Sequence, residues 1–447
     1  MSAQNQAENI IKNDDLSAYW MPFTPNKAFK DNPRLIDRAE GLYYYTTDGR
    51  KILDGFAGLW CSNLGHGHPK ITEAIQDQAA KLDYVTGFNF AHPQAFELAH
   101  IIQEQFPGQL NHVFFTNSGS EAVDTALKVA LAYHRTNGEA SRTRLIGRVG
   151  GYHGVGFGGI SVGGMVNNRK MFGSLLSGVD HMPFPYDASK DAFSKGEATS
   201  DPLVYLKPFE EMIALHDEST IAAVIVEPMI GSNGVFLPPK GYLQALRAIT
   251  KKHGILLIFD EVITAFGRLG QANGASYFGV EPDMCTFAKG VNNGAVPMGG
   301  VVVSSDIYSC FMEKSAPGIE LFHGYTYSSH PLATAAGLAA QAVYKEEAVY
   351  DQVSARSPFF EEAIHSLKGE PYVEDIRNMG FAAGITIERR GDAVGARAFD
   401  VFMKCYELGV MVRSNGDNLA LSPILTSDET VLETLVETVR KALRTVA

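Results

Sequence analysis

From about residue 95 to residue 330 the chain alternates short apolar runs with longer stretches of helical periodicity. HVFFT (112–116) precedes the helical SEAVDTALKVALAYHR, and IAAVIVEP (221–228) leads through a turn into GYLQALRAITKKH. GILLIFDEV (254–262), DMCTFAK (283–289) and GGVVVSS (299–305) are further apolar runs. Continuous Val, Ile and Leu, rather than apolar residues at every second position, suits strands buried on both faces of a mostly parallel sheet. The pattern predicts an α/β fold: a large domain with a mostly parallel sheet flanked by helices, plus a smaller α+β domain.

The flanks read differently. About 35 N-terminal residues form an arm with an aromatic patch, WMPFT (20–24). GLYYYTTDGRKILDGFAG (41–58) predicts a β-hairpin turning at Asp48 and Gly49. PKITEAIQDQAAKL (69–82) predicts a helix begun by Pro69. DASKDAFSKGEATSDP (187–202) is polar and turn-rich and reads as a surface excursion. After HGYTYSSHP (323–331) one long Ala-rich helix, LATAAGLAAQAVYKEEAVYDQV, is expected to leave the large domain. Strands around FAAGITIE and a terminal helix follow. The expected organisation is an arm and hairpin over 1–60, belonging with the small domain, a large domain over 61–330, and a small domain over 331–447.

Composition narrows the function. Hydrophobic residues at 45% and charged residues at 20% fit a globular protein. The 38 basic and 50 acidic side chains give a net charge of −12, which argues against a nucleic-acid or anionic-membrane partner. No apolar run approaches the roughly 18–20 residues of a membrane helix. The start, MSAQNQAENIIKNDD, lacks a basic region followed by an apolar one, so no secretory signal is expected. Cys61, Cys285, Cys310 and Cys405 form no CxxC pair and read as reduced thiols. A cytoplasmic enzyme is the expectation.

Candidate chemistry collects at strand ends. Asp260 ends ILLIFD, and Lys289 ends the next apolar run. In open α/β sheets ligands bind outside the carboxyl ends of strands. Asp260 alone could cap a helix; with Lys289 at the next strand end it fits an ion pair or a pyridoxal phosphate site. In TNSGSEAVDTALK, Ser118 and Glu121 have capping-box spacing, while the same turn offers N–H groups suited to a phosphate. Tyr152 and His153 follow LIGRV; the tyrosine is either core packing or a ring stacked on a planar cofactor. Arg413 stands in the otherwise uncharged MVRSN, either in a structural ion pair or gripping a substrate carboxylate. GVGFGG (154–159) matches the dinucleotide fingerprint in letters, but ISVGGM is a poor helix start and no strand clearly leads to Asp180. It is rejected as a Rossmann site. HGH (66–68) reads as an exposed turn with no metal role.

Taken in order, TNSGSEAVDTALK, RVGGYHG, LLIFDEVITAFGRLG, FAKGVNNGAVPMGG and HGYTYSSHP resemble the subgroup (class) III aminotransferases. WMPFT, LDGFAGLWCSNLGH, NHVFFTNSGSEA and PPKGYL are similar to the β-alanine (ω-amino acid):pyruvate aminotransferases within that family. The resemblance covers nearly the whole chain. It implies a fold-type-I pyridoxal 5'-phosphate enzyme, homodimeric with active sites shared between subunits, with tetramers left open. Lys289 matches the Schiff-base lysine and Asp260 the partner of the pyridine nitrogen. Ser118, Gly119 and Ser120 match the phosphate cup. Tyr152 and Val262 match the residues on the two ring faces, and His153 and Glu227 complete the cofactor set. Thr326 matches a threonine reaching the neighbouring subunit's cofactor phosphate. Phe23, Trp60, Phe88 and Tyr152 match the aromatic substrate pocket, with Ser232 as its small wall residue. Arg413 matches a mobile arginine that binds carboxylates. The implied reaction moves an amino group from an ω-amino acid or amine to pyruvate. An aminomutase or decarboxylase would use the same lysine and aspartate; a nucleotide-dependent dehydrogenase would need the GVGFGG glycines. The glycines and asparagines after Lys289 are expected to turn the backbone away and leave room for the cofactor.

Overall fold

The computed structural model describes residues 16–446. The segment MSAQNQAENIIKNDD, read above for targeting signals, lies outside them. The hairpin is present. β1 (Ile36–Glu40) pairs antiparallel with β2 (Tyr43–Thr46), and β2 with β3 (Lys51–Asp54). Gly49 turns it at φ +85, a conformation that a Cβ would strain. A distant strand completes this sheet: β13 (Val410–Met411) lies parallel to β3, with Val410 opposite Leu53. The helix Pro69–Lys81 begins on its proline, where no N–H is needed.

The central sheet has seven strands. They are β4 (Leu110–Thr116), β5 (Arg144–Arg148), β6 (Val179–Met182), β7 (Ile221–Val226), β8 (Leu256–Asp260), β9 (Met284–Ala288) and β10 (Gly299–Ser304), in the order β4-β10-β9-β8-β7-β5-β6. β6, β5, β7, β8 and β9 run parallel, and β10 is antiparallel to both of its neighbours. Only residues 289–298 link β9 to β10. That is too short for the crossover a parallel return needs, so β10 must run backward. Every residue of β7, β8, β9 and β10 is buried. Alternate residues enter different clusters: Val224, Val226, Leu257 and Phe259 pack on one face, Ala223, Ile225 and Ile258 on the other. The continuous apolar runs therefore reflect a sheet covered on both sides. Because β4, β5, β7, β8 and β9 share one direction, their C-terminal ends share one edge.

The third sheet is antiparallel: β11 (Val373–Met379), β12 (Ala382–Ile387), β15 (Asn418–Leu421) and β14 (Arg413–Asn415), in that order. The helix Glu429–Leu443 closes the chain. Among the described residues no helix is long and apolar enough to cross a membrane.

Three expectations need correction. The long Ala-rich helix is two helices, Pro331–Glu346 and Val349–His365, broken at Ala348 with φ +48. The first packs on Pro69–Lys81 and the second on Glu429–Leu443, and a straight rod could not meet both. GVGFGG does run into a helix, Phe157–Val162, and Asp180 does lie on a strand, β6. Asp180 is nevertheless occupied by Arg144 at 2.8 Å and His216 at 3.3 Å, and the helix starts inside the motif rather than after it. Finally, 187–202 is no simple surface excursion. Asp191 is fully buried, and its carboxylate accepts from the N–H groups of Asp187 (3.0 Å), Thr199 (3.1 Å) and Ser200 (3.0 Å) and from the Ser200 hydroxyl (2.8 Å). Polar composition marked the segment as exposed because one buried carboxylate satisfies its backbone.

Asp191→Ala leaves those three N–H groups unpaired. It is expected to cost about 2–3 kcal/mol, read as a lower urea midpoint with faster protease cleavage within 187–200. An unchanged midpoint would show that Asp191 does not organise the segment.

Candidate active site

A cavity of about 400 Å³ opens at the edge where the strand ends meet, a size typical of small-molecule sites. Lys289 is the first residue past β9 and lines it. Its φ of +51 is left-handed, unusual for a residue with a side chain, and it turns the chain off the strand into the short helix Lys289–Asn292. Its amine has no ion-pair or hydrogen-bond partner among the described residues. Burial lowers its pKa, against the pull of Cys61, Asp260 and Glu227, so the neutral amine is within reach.

Asp260, at the end of β8, is held by three donors: His153 Nδ1 at 2.8 Å, Thr286 Oγ1 at 3.1 Å and Val262 N at 3.2 Å. The parallel register sets Asp260 beside Thr286. Accepting the bond places the imidazole proton on Nδ1. His153 Nε2 is buried with no partner among the described residues.

In TNSGSE the capping spacing is realised. The Ser118 side chain caps the helix Gly119–Thr136, accepting from Glu121 N at 3.2 Å, while the Glu121 carboxylate accepts from Asn117 N at 2.7 Å. Ser118 does not line the cavity; Gly119 and Ser120 do. Their first-turn N–H groups have no partner within the helix. A Cβ on Gly119 would stand 3.0 Å from both Val262 methyls, so the close approach needs glycine. The GVGFGG glycines serve packing: a Cβ on Gly154 would come within 2.5 Å of Ser120 Oγ. Tyr152 and Val262 line the cavity with His153. Glu227 lines it too, but its carboxylate is committed to Tyr152 N at 3.0 Å and Gly231 N at 3.1 Å, tying two loops together. Burial pushes the pKa of Glu227 up.

Arg413, Ser232, Trp60 and Phe23 also line the cavity. Arg413 has no carboxylate within ion-pair distance among the described residues, and burial lowers its pKa. The structural ion pair weighed from sequence is absent there. Trp60 (φ +64) follows Ala57 (φ +47) in a strained loop. The buried Asp54 carboxylate holds that loop, accepting from Phe56 N at 3.0 Å and Gly58 N at 2.6 Å, with His66 Nε2 at 2.8 Å. His66 in HGH is thus a buried-carboxylate partner rather than an exposed turn residue.

Besides Ser118, two expected residues lie outside the cavity of this chain. Phe88 is 52% exposed and Thr326 is exposed, on neighbouring segments: a Cβ on Gly324 would be 3.0 Å from Phe88, and Tyr84 donates to Thr326 O at 3.0 Å. The residues after Lys289 make room for protein rather than cofactor. A Cβ on Gly290 would strike Asn63 Nδ2 at 2.5 Å, one on Gly294 would strike Cys61 Cβ at 2.7 Å, and Asn293 bonds Leu64 N and Gly65 O. Sequence reasoning missed Met165, Asn168 and Asn415 in the lining. Only Asn415 carried a signal: two residues from Arg413, it shares its face if RSN is a strand.

A neutral-capable amine, a clamped carboxylate and unpaired helix-start N–H groups around one cavity fit pyridoxal phosphate, which offers an aldehyde, a ring nitrogen and a phosphate.

Comparisons with known proteins agree. Residues 26–443 match the model of the class-III aminotransferases. The chain is 52% identical over 430 residues to an omega-aminotransferase of Caulobacter vibrioides, covering 96% of this chain and 98% of that one. It is 47% identical to the beta-alanine–pyruvate aminotransferase of Pseudomonas aeruginosa, covering 99% of each chain. Among solved structures, a thermostable (S)-enantioselective omega-transaminase from Thermomicrobium roseum superposes with a TM-score of 0.92 at 33% identity, covering 98% of each chain.

Lys289, with its lowered pKa, should react with a small aldehyde and cyanoborohydride at lower pH than the exposed Lys81 in cofactor-free protein. Peptide mass spectrometry across pH reads this; coincident profiles would contradict the burial effect.

Proposed function

The chain belongs to the class-III aminotransferases, and on that premise we propose that it moves an amino group from an ω-amino acid or simple amine to pyruvate, giving alanine and an aldehyde or ketone. The observation that carries the substrate assignment is a largely buried guanidinium, Arg413, that has no carboxylate partner among the described residues and lines the same cavity as Lys289.

The enzyme is pyridoxal-phosphate dependent. When bound, the cofactor supplies an electron sink that acidifies the C–H bond beside the transferred nitrogen. Lys289 would hold its aldehyde carbon, Asp260 its ring nitrogen, the first-turn N–H groups of Gly119 and Ser120 its phosphate, and Tyr152 and Val262 its two faces. Lys289 Nζ, whose pKa burial lowers, takes the proton from the donor carbon and returns it on the other side of the exchange. The Asp260 carboxylate, fixed by His153, Thr286 and Val262 N, keeps a proton on its partner nitrogen. Trp60, Phe23 and Met165 line the cavity with apolar surface suited to the carbon chain of the donor. Arg413 takes the pyruvate carboxylate through two parallel hydrogen bonds. In the second half the amino group passes to the keto carbon of pyruvate, so no nitrogen is released.

The working unit in this reading is a homodimer. Phe23 (71% exposed), Phe88 and Phe322 (85% exposed) present aromatic surface that a second copy would cover. Such a copy would bring Phe88 and Thr326 to a neighbouring cavity. The cytoplasm is the compartment that suits four unpaired thiols.

Arg413→Ala should reduce kcat/KM for pyruvate by about 2–3 kcal/mol, some 30- to 150-fold, and affect a carboxylate-free amine far less. Steady-state kinetics with each substrate varied in turn separates the two. Equal losses would make Arg413 structural and remove the basis for the pyruvate assignment.

A further inference from the structure

Arg413 and Asn415 leave β14 on the same face, two residues apart, while Ser414 leaves the other. Both line the cavity. β14 is three residues long and is the edge strand of its sheet, paired only with β15, with Arg413 opposite Ala420 and Asn415 opposite Asn418. So short an edge is fixed by its sheet on one side alone. Asn415 ties the other side: its Nδ2 donates to Ser232 O at 2.6 Å. A carbonyl oxygen only accepts, so the amide must turn its nitrogen there.

The loop it reaches is anchored at both ends. Gly231 N donates to Glu227 at 3.1 Å, and a Cβ on Gly231 would stand 2.6 Å from Ile263 Cδ1. Arg377 Nη2 donates to Gly234 O at 2.9 Å, and Asn418 Nδ2 to Asn233 O at 3.2 Å. Ser232 itself lines the cavity. The bond from Asn415 therefore joins the wall carrying Ser232 to the strand carrying Arg413.

We propose that Asn415 is a positioning residue for acceptor choice: by tying Ser232 to β14 it holds Arg413 at the reach that suits the carboxylate of a short α-keto acid. This deepens the assignment above and rests on Arg413 being the carboxylate-binding group. A guanidinium on a long, flexible arm makes two parallel bonds only from a fixed backbone, and a displacement of about 1 Å at a positioning element can cost orders of magnitude in rate.

The test uses the holoenzyme with Asn415→Ala and Asn415→Leu. Leucine keeps the branched heavy-atom skeleton of asparagine without its donor, so it reads the tie even if alanine destabilises the fold. The two half-reactions are followed separately by cofactor absorbance, one with pyruvate and one with a carboxylate-free amine. Both variants should raise the KM for pyruvate about tenfold, at least five times more than the KM for the amine, with kcat changing less than KM. The preference for pyruvate over a longer α-keto acid should fall several-fold. Parallel losses in both half-reactions, or an unchanged pyruvate KM, would overturn the role of Asn415. Arg413→Ala separates the levels. If it leaves the pyruvate KM unchanged, the carboxylate assignment fails and the tie loses its purpose. If it raises that KM while the Asn415 variants do not, only the role of Asn415 fails.

Discussion

Burying an amine where no counter-charge lies at bonding distance is the constraint on which this site depends. Taking an ammonium out of water costs several kcal/mol even after relaxation. Lys289 meets that cost by giving up its proton more easily, which is the direction burial drives it. Lys289 stands at the edge of that buried layer: β9, which it follows, lies wholly buried between β8 and the returning β10. Asp260, on the adjoining strand end, solves the opposite problem by gathering three donors. Two neighbouring strand ends thus present an amine whose pKa burial lowers and a carboxylate held by three donors.

The walls of the cavity are loops, and regular secondary structure holds few of them. Asp54 fixes the strained turn that carries Trp60, Glu227 joins the Tyr152 turn to Gly231, and Asn415 joins Ser232 to β14. Each is a short polar side chain taking up backbone groups that a buried loop would otherwise leave unpaired. Arg413 stands apart from this scheme. It is largely buried and has no such partner, which marks it as the group left free for something that arrives and leaves.

Much of this was legible in the chain. Strand runs buried on both faces cannot alternate, so the continuous apolar stretches gave the central sheet, and strand ends gave Asp260 and Lys289. The capping spacing of Ser118 and Glu121 was right for the helix, while the cavity belongs to the next two residues. What sequence could not show were bonds between distant residues. Glu227 reaches back to Tyr152, and Asn415 reaches back to Ser232. Asp191 looked like one more charge in a polar loop because its donors are backbone N–H groups, which carry no sequence signature. Met165 and Asn168 enter the cavity from an irregular segment with no periodicity to read. The break at Ala348 had no proline or glycine to announce it; packing against two different helices imposed it.

The central claim is that Lys289 is the amine that holds the cofactor. Its most direct test is borohydride reduction of the purified holoenzyme followed by peptide mapping. The account predicts a yellow protein that bleaches on reduction and carries the cofactor's mass on the peptide containing Lys289. A colourless protein that takes up no pyridoxal phosphate, or a label fixed on a different lysine, would contradict it.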